Sequence, residues 1–376
     1  MTFRWPFKAK KNKHWVGINL STLTPSAVIY SDQGIVESVS FHHDDGIAAL
    51  EHWLKKRISQ TMPAVLVLDD ADYELLLVEA PEVPDEELTA AIEFRIGDLL
   101  NQPVAETAVQ AVRLPRDAYR GRMSMAHVIA SPNSVIQKWV KWAAINNLSV
   151  NVITVPEFSL LNILSINDID QGIAILELGP NYGAIRLYQQ GALYLTRQVE
   201  VGLNALAMQN NDSAVDVQPD ATDELDIEEN NESFLLDEVD LSNAAAGELD
   251  VSVEELETDL KAELEAEIND AYVGFAPKAK IDAMQVDNLI LEVQRSLDYY
   301  ESQLGMGQIT QLWVMAGDED LTLLVDAMQP ALAANIKQPD ISKKLQQIEG
   351  VGLSVHEGDI NNRIIALGGA LAYAAR

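Results

Sequence analysis

Residues 174–202 are the stretch that most restricts the folds open to this chain. They read AILELGPNYGAIRLYQQGALYLTRQVEVG, in which three apolar runs are separated by two glycine-containing turns. Runs of this length and composition predict three short strands joined as a meander. A similar pattern over residues 14–41 contains the turns STLTPS and DQG. Two such meanders, each followed by helices and further strands, predict a fold of two similar halves.

The first turn of the later meander combines an acidic residue with glycines. Glu177 ends one strand, and Gly179 and Gly183 flank the turn to the next. A glycine-containing turn can direct backbone N–H groups at a phosphate, and a carboxylate nearby can hold Mg²⁺ through water. Strands separated by glycine are also common in plain hairpins, so both interpretations remain open for this motif alone.

The charge of the chain is unevenly distributed. The formal net charge is −32, and residues 211–270 contain 22 Asp and Glu against one basic residue, Lys261. Such a charge disfavours nucleic-acid binding, so we expect no nucleic-acid partner. Residues 208–248 are acidic and aperiodic, which predicts a disordered insertion.

Three features concern the cellular environment. The chain has no cysteine, which excludes disulfides and thiolate chemistry and suits a reducing compartment. The longest apolar run is too short to span a bilayer. Residues 1–13, MTFRWPFKAKKNK, interleave aromatic and basic residues. They form either a tail that touches an anionic membrane surface or simply a frayed tail.

Residues 14–170 are predicted to form the first half and residues 171–376 the second. Within the first half, residues 72–155 have a β-α-β-β-α-β pattern that predicts an inserted α/β subdomain. Its first helix is predicted over residues 84–100, and Ser131 is predicted to cap its second helix, with Pro132 at the first helical position. A capping box predicts a helix over residues 252–268 in the second half.

A long helix is predicted over residues 286–303, VDNLILEVQRSLDYYESQ. It resembles a helix of PilM-type proteins, the actin-like proteins of type IV pilus assembly, and the helix over residues 84–100 resembles that family's inserted subdomain. The resemblance covers most of the chain outside residues 208–248. It implies an α/β, actin-like ATPase (ribonuclease H-like) fold of two pseudo-repeated halves, with the inserted subdomain that PilM-type proteins share with FtsA.

The resemblance also implies a partner and a location. PilM-type proteins bind a short apolar peptide, from the cytoplasmic tail of a PilN-like inner-membrane protein, in a groove near the inserted subdomain. A cytoplasmic scaffold, peripheral at the inner membrane, is therefore the function that the resemblance implies.

The nucleotide motifs of the family are altered here. Asn19 replaces an Asp, Ser21 a Gly and Ser26 a Lys in the first phosphate loop. These changes remove the charge that anchors hydrated Mg²⁺, obstruct close approach of a phosphate, and delete a cationic contact. In the second loop Glu177 remains the candidate to hold Mg²⁺ through water. The candidate nucleotide-binding residues carried over from the family are Asn19, Ser21, Thr22, Glu177, Gly179, Gly183, Glu292, Arg295, Ala316 and Gly317.

The altered first loop bears on the function of the chain. The altered first loop favours a scaffold, more a pseudo-ATPase than an enzyme, in which ATP and Mg²⁺ bind weakly or not at all. The alternative is a slow actin-like ATPase that cycles the pilus assembly complex. A sugar kinase would need a catalytic Asp in the cleft between the halves, and nothing in the sequence marks one.

Overall fold

The structure, a computed structural model, describes residues 14–32, 34–41, 46–166, 172–207, 281–317, 319–339 and 361–374. The predicted tail (1–13), the acidic insertion (208–248) and the predicted helix over residues 252–268 lie outside these residues. The strands in chain order are β1 (His14–Asn19), β2 (Ser26–Ser31), β3 (Gly34–Ser40), β4 (Met62–Val67), β5 (Glu74–Glu79), β6 (Thr107–Arg113), β7 (Met125–Pro132), β8 (Leu148–Thr154), β9 (Ile173–Leu178), β10 (Gly183–Gln189), β11 (Ala192–Val199), β12 (Gln311–Met315) and β13 (Asn335–Lys337). The helices are α1 (Gly46–Arg57), α2 (Asp85–Glu93), α3 (Asn133–Ile145), α4 (Pro156–Ile166), α5 (Leu203–Leu206), α6 (Ala283–Ser302), α7 (Thr322–Met328) and α8 (Ile364–Ala374).

Two five-stranded sheets share one topology. Their strand orders are β3-β2-β1-β4-β8 and β11-β10-β9-β12-β13. In each sheet the meander strands pair antiparallel, and the two later strands pair parallel to the first strand and to each other. The predicted pair of similar halves is therefore confirmed.

The turn between β10 and β11 shows why the meander forms. Gln190 and Gly191 both have positive φ, 48° and 73°. A two-residue turn with both residues in this region matches the right-handed twist of the flanking strands. Glycine adopts that conformation without steric cost, so the sequence QQG fixes the register of the hairpin.

Helices α4 and α8 lie between the two sheets. One buried apolar cluster joins Val67 of the first sheet and Ile175 of the second to Leu160 of α4 and Leu367 of α8. Helix α8 also approaches β1 closely, because a Cβ atom on Gly17 would lie 2.0 Å from the backbone oxygen of Ala366. The two halves therefore share a core along these helices.

The inserted unit is smaller than the sequence predicts. A three-stranded sheet, β5-β7-β6, is covered on one face by α2. Strand β8 pairs with β4 in the first sheet, and Trp139 and Ala143 of α3 belong to the core of the first half. The predicted end near residue 155 is therefore too late, since the chain rejoins the first half after β7.

Two local predictions in this unit are wrong. Helix α2 ends at Glu93 rather than near residue 100, because the chain tightens into a short 3-10 turn that contains Gly97, a poor helix former. Ser131 does not cap α3. It lies in β7, and its hydroxyl donates to the carbonyl oxygen of Asp72 at 2.7 Å.

Within the residues that the structure describes, no helix is both long enough and apolar enough to cross a bilayer.

Candidate functional site

The predicted nucleotide motifs lie at one edge of each sheet. The first loop (20–25) follows β1, Asp69 and Asp70 follow β4, and the second loop (179–182) follows β9. These are the carboxyl ends of parallel strands, where α/β folds bind ligands. Tyr73 contacts both Asp70 and Glu157, and Arg186 contacts both Glu157 and Glu177, so the two edges face each other.

The first loop is closed by its own side chains. Asn19 is buried, and its Oδ1 accepts the N–H of Ser21 at 3.3 Å. The Ser21 hydroxyl oxygen accepts the N–H groups of Leu23 and Thr24 at 3.2 and 3.4 Å. Backbone donors that a phosphate would need are therefore already engaged within the loop.

A carboxylate occupies the remaining position of this loop. The N–H of Thr22 donates to Asp69 Oδ2 at 2.7 Å, and the Thr22 hydroxyl lies 3.3 Å from the same oxygen. A phosphate at Thr22 would have to displace this carboxylate and would be repelled by it. Ser26, at the position of the family's Lys, is fully buried, and its hydroxyl has no hydrogen-bond partner among the described residues.

The second loop is held mainly by backbone contacts. The N–H of Gly179 donates to the carbonyl of Tyr182 at 2.9 Å, and the carbonyl of Gly179 accepts the N–H of Leu203 at 2.9 Å. A Cβ atom on Gly183 would lie 2.7 Å from the carbonyl oxygen of Glu177. Tight packing of the loop on itself is therefore sufficient to explain both glycines.

Glu177 is bound by an arginine from the neighbouring strand. Its Oε2 lies 2.6 Å from Nη1 of Arg186, while Nε of Arg186 lies 3.2 Å from Oε1 of Glu157. The Arg186 and Glu157 side chains are 2% and 5% exposed. Burial lowers the pKa of Arg186, but Glu157 and then Glu177 outweigh it and hold that pKa well above its ordinary value. Arg186 belongs to the second half and Glu157 to α4, so this ion pair joins the two halves.

Two further side chains complete this group, which we call the cleft network: Asp70, Tyr73, Glu157, Glu177 and Arg186. The Tyr73 hydroxyl lies 2.8 Å from Glu157 Oε2 and 3.1 Å from Asp70 Oδ1. Asp70 as a residue is exposed, but loss of water around its carboxyl raises the pKa of that carboxyl to about 6. Arg186 lowers this pKa, whereas Glu157 and Glu177 raise it. The network thus contains one cation and three acidic groups.

The cleft network fits a structural role better than a metal site. Among the described residues, no group of three or more His, Asp or Glu is placed to hold a metal ion. Glu177, the predicted Mg²⁺ residue, would have to share its carboxylate with Arg186. The geometry neutralises the buried Glu157 and the partly exposed Glu177 with a built-in guanidinium.

Ala316 and Gly317, two of the candidate nucleotide-binding residues, follow β12 at the same edge of the second sheet, but other side chains close this position. Gly317, which follows the buried Ala316, has a φ of +57°, and a Cβ atom there would lie 2.1 Å from Oδ1 of Asn362. On α6, Glu292 Oε2 accepts the N–H of Glu200 at 3.1 Å, and Arg295 is exposed. The structure thus gives Glu292 a local backbone partner.

The prediction from sequence missed Asp70, Tyr73, Glu157 and Arg186. Arg186 carried a usable signal, since it is a charged residue inside the apolar run AIRLY of a buried strand. Such a residue needs a charged partner. Glu157 carried none, because an acidic residue in the first turn of a helix is ordinary.

Neither the family models nor the curated proteins compared with the sequence give a match. Solved structures do. One is a chain of the PilM–PilN type IV pilus biogenesis complex, with a TM-score of 0.62 at 15% identity, over 96% of this chain and 99% of that chain. The ethanolamine utilization protein EutJ from Carboxydothermus hydrogenoformans has a lower TM-score of 0.42 at 12% identity, over 95% of this chain and 89% of that chain. The cytoplasmic domain of EpsL, an inner membrane component of the type II secretion system of Vibrio cholerae, has a TM-score of 0.37 at 15% identity, over 50% of this chain and 71% of that chain. The end-to-end match and the repeated sheet order confirm the predicted actin-like fold.

Proposed function

We propose that this chain is an adaptor of a type IV pilus assembly machine and binds the cytoplasmic tail of a PilN-like inner-membrane protein. The observation that carries this proposal is the match, over nearly the whole length of both chains, to a chain of the PilM–PilN complex. The altered first loop and the acidic insertion resemble MshI, the PilM-like component of mannose-sensitive haemagglutinin (MSHA) pilus biogenesis. More narrowly, we propose that the pilus is of the MSHA type and that the adaptor lies in the cytoplasm at the inner membrane.

The cleft supports an adaptor that does not turn over ATP. The donors of the first loop are engaged by Asn19, Ser21 and Asp69. Glu177 is paired with Arg186. Binding of Mg·ATP would have to break both sets of contacts and bring polyphosphate next to the carboxylates of the cleft network.

One observation favours the alternative, a slow actin-like ATPase. The side chain of Glu177 is 35% exposed although it is paired with Arg186. Its free surface leaves room for a hydrated Mg²⁺ ion, which binds carboxylates through water. The two functions therefore differ in whether nucleotide binds at Glu177.

Nucleotide binding separates the two functions. We expect millimolar Mg·ATP to leave the melting temperature of the purified protein unchanged, because a ligand stabilises a fold only as far as it binds the native state. Differential scanning fluorimetry and calorimetric titration measure this. Micromolar ATP affinity that disappears in Glu177→Ala would establish the ATPase alternative instead.

The sheet face opposite α2 packs partly against the second half and leaves two apolar side chains of the inserted subdomain exposed. Leu77 of β5 and Val112 of β6 lie directly across from His127 of β7, one on each side, and are 36% and 39% exposed. His127 itself is buried, and its Nε2 lies 3.2 Å from the carbonyl oxygen of Leu193 in the second half. Burial lowers the pKa of His127 to about 4, so the ring is neutral at pH 7. We propose the exposed parts of Leu77 and Val112, on either side of this contact with the second half, as the floor on which the apolar peptide of the partner docks.

Peptide binding tests the adaptor directly. A labelled peptide from the cytoplasmic tail of the PilN-like partner should bind the full chain in fluorescence anisotropy. The double substitution Leu77→Glu/Val112→Glu should weaken binding by about tenfold or more, because two apolar contacts are replaced by charges that resist desolvation.

The matched control is Val36→Glu, which changes a 46% exposed strand valine in β3, outside the inserted subdomain. It should leave peptide affinity unchanged. Absence of binding by the unmodified protein would refute the adaptor proposal. Equal loss in the control and the double variant would refute only the assigned floor.

A further inference from the structure

We infer that one end of the first half, at the C-terminal ends of α1 and α3, is a surface that binds the anionic headgroups of a membrane. We call it the basic end. It lies apart from the peptide floor on the inserted subdomain and from the cleft network. A lipid contact here would fix how the adaptor stands on the membrane, which goes beyond the binding of a partner protein.

Side-chain contacts place the ends of α1 and α3 together. Trp142 Nε1 of α3 donates to Oε1 of Glu51 on α1 at 2.6 Å. After the helices, Asn147 Nδ2 donates to the carbonyl of Ile58 at 3.3 Å, and the Asn147 carbonyl accepts the N–H of Met62 at 3.0 Å. The last turns of both helices therefore share one surface, at the edge where β4 and β8 begin.

This surface is basic in an acidic protein. Its cationic residues are Lys55, Lys56 and Arg57 in the last turn of α1 and, on α3, Lys141 about one turn and Lys138 about two turns before the end of the helix. Residues 52–68 and 133–155 contain no Asp or Glu, although the chain as a whole has a net charge of −32. The carboxylates that pair with these cations are Glu51, with Lys55, and Glu37, with Arg57.

Helix electrostatics explains only part of this arrangement. Basic residues in the last turn of a helix complement its dipole, which accounts for the three cations that end α1. Helix α3 has no basic residue in its last turn. Lys138 lies over the ring of Trp139, with its Nζ 4.4 Å from the ring centroid, and an external anion would supply a counter-charge for Lys138 and Lys141.

An exposed apolar side chain beside the cations favours lipid over an acidic protein. Ile145 is 71% exposed and follows Lys141 by one helical turn, on the same face of α3 as the two lysines. Apolar side chains among basic residues are typical of segments that lie at the headgroup–acyl boundary. The acidic remainder of the protein is repelled by an anionic bilayer, so this end would face it.

The start of β1 lies at this same edge. Strand β1 runs parallel to β4, with Val16 opposite Ala64, so His14 lies at the edge where β4 begins. The preceding sequence, residues 1–13, contains five basic residues and the aromatic residues Phe3, Trp5 and Phe7. It joins the described structure at this same edge.

Vesicle co-sedimentation of the full chain tests the inference. The protein should sediment with phosphatidylcholine vesicles that contain phosphatidylglycerol, and not with vesicles of phosphatidylcholine alone. The triple variant Lys56→Glu/Lys138→Glu/Lys141→Glu should reduce partitioning by at least about 100-fold, since loss of each basic residue near an anionic surface changes it about fivefold and the glutamates add repulsion. These side chains are exposed, so circular dichroism should show an unchanged fold.

A matched variant controls for net charge. Arg116→Glu/Arg122→Glu/Arg197→Glu changes three exposed arginines away from α1 and α3 by the same total charge and should keep vesicle binding. The inference is overturned if the unmodified protein does not bind anionic vesicles, or if this control loses as much binding as the lysine variant. It is overturned too if only Lys8→Gln/Lys10→Gln/Lys11→Gln/Lys13→Gln abolishes binding, or if the basic end captures an acidic peptide instead of vesicles.

Discussion

Replacing Arg186 with methionine should lower the free energy of unfolding by about 3–5 kcal/mol. The substitution removes the only cation of the cleft network and leaves Glu157, whose side chain is 5% exposed, without its charged partner. A buried carboxylate that loses its cation keeps its desolvation penalty, which makes removal of one partner much worse than removal of both. Urea denaturation at pH 7, followed by circular dichroism, measures the change.

Two further variants make this result interpretable. Arg57→Met breaks an ion pair with Glu37 whose side chains are 33% and 40% exposed, so it should change stability by about 1 kcal/mol or less. The double variant Arg186→Met/Glu157→Gln should recover part of the loss, because the stranded charge is gone. If Arg186→Met reduced the free energy of unfolding as little as Arg57→Met, the cleft network would contribute nothing to holding the two halves together.

The β-meanders were predictable because their signals are local. Apolar runs and glycine turns fix each hairpin within about 30 residues, and the two sheets repeat one order. The end of α2 was not predictable in the same way. The apolar spacing continues past Gly97, and Ile96 is indeed buried, but it reaches the core from a 3-10 turn rather than from a longer helix.

The chemistry of the cleft was harder to predict, because it depends on pairings across the two halves. Sequence showed that Asn19 and Ser21 had replaced the family's residues, but not that their side chains would bind the loop's own N–H groups. It marked Glu177 as a metal residue, but not Arg186 as its partner. A charged residue in a buried strand predicts some partner, and only the fold says which one.

The extent of the inserted subdomain illustrates the same limit. Residues 148–154 have the pattern of a strand in either sheet, and nothing local distinguishes pairing with β4 from pairing with β5. Parallel pairing to β4 is fixed by α3, whose Trp139 and Ala143 enter the core of the first half. Strand identity is thus a local property, whereas sheet membership is not.

Replacing Gly368 with alanine should destabilise the protein by about 3 kcal/mol or more, at or beyond the upper end of the usual penalty for overpacking a core. A Cβ atom on Gly368 of α8 would lie 2.1 Å from the carbonyl oxygen of Ser159 on α4. The obstructing atom is backbone, which cannot rotate away as a side chain can, so the two helices must separate. Urea denaturation measures the loss.

Two other glycines provide comparisons for the effect of Gly368→Ala. Gly369→Ala should have an intermediate effect, because the Cβ atom would lie 2.9 Å from a methyl group of Val67, and Gly307→Ala should have almost none, because nothing lies within 4 Å. Equal effects at the three positions would contradict a close contact between α4 and α8.

Helix α4 also carries Glu157, so displacing it from α8 moves that carboxylate relative to Arg186 and weakens the ion pair between the halves. The spacing of two helices, set by one missing Cβ atom, therefore positions the cleft network.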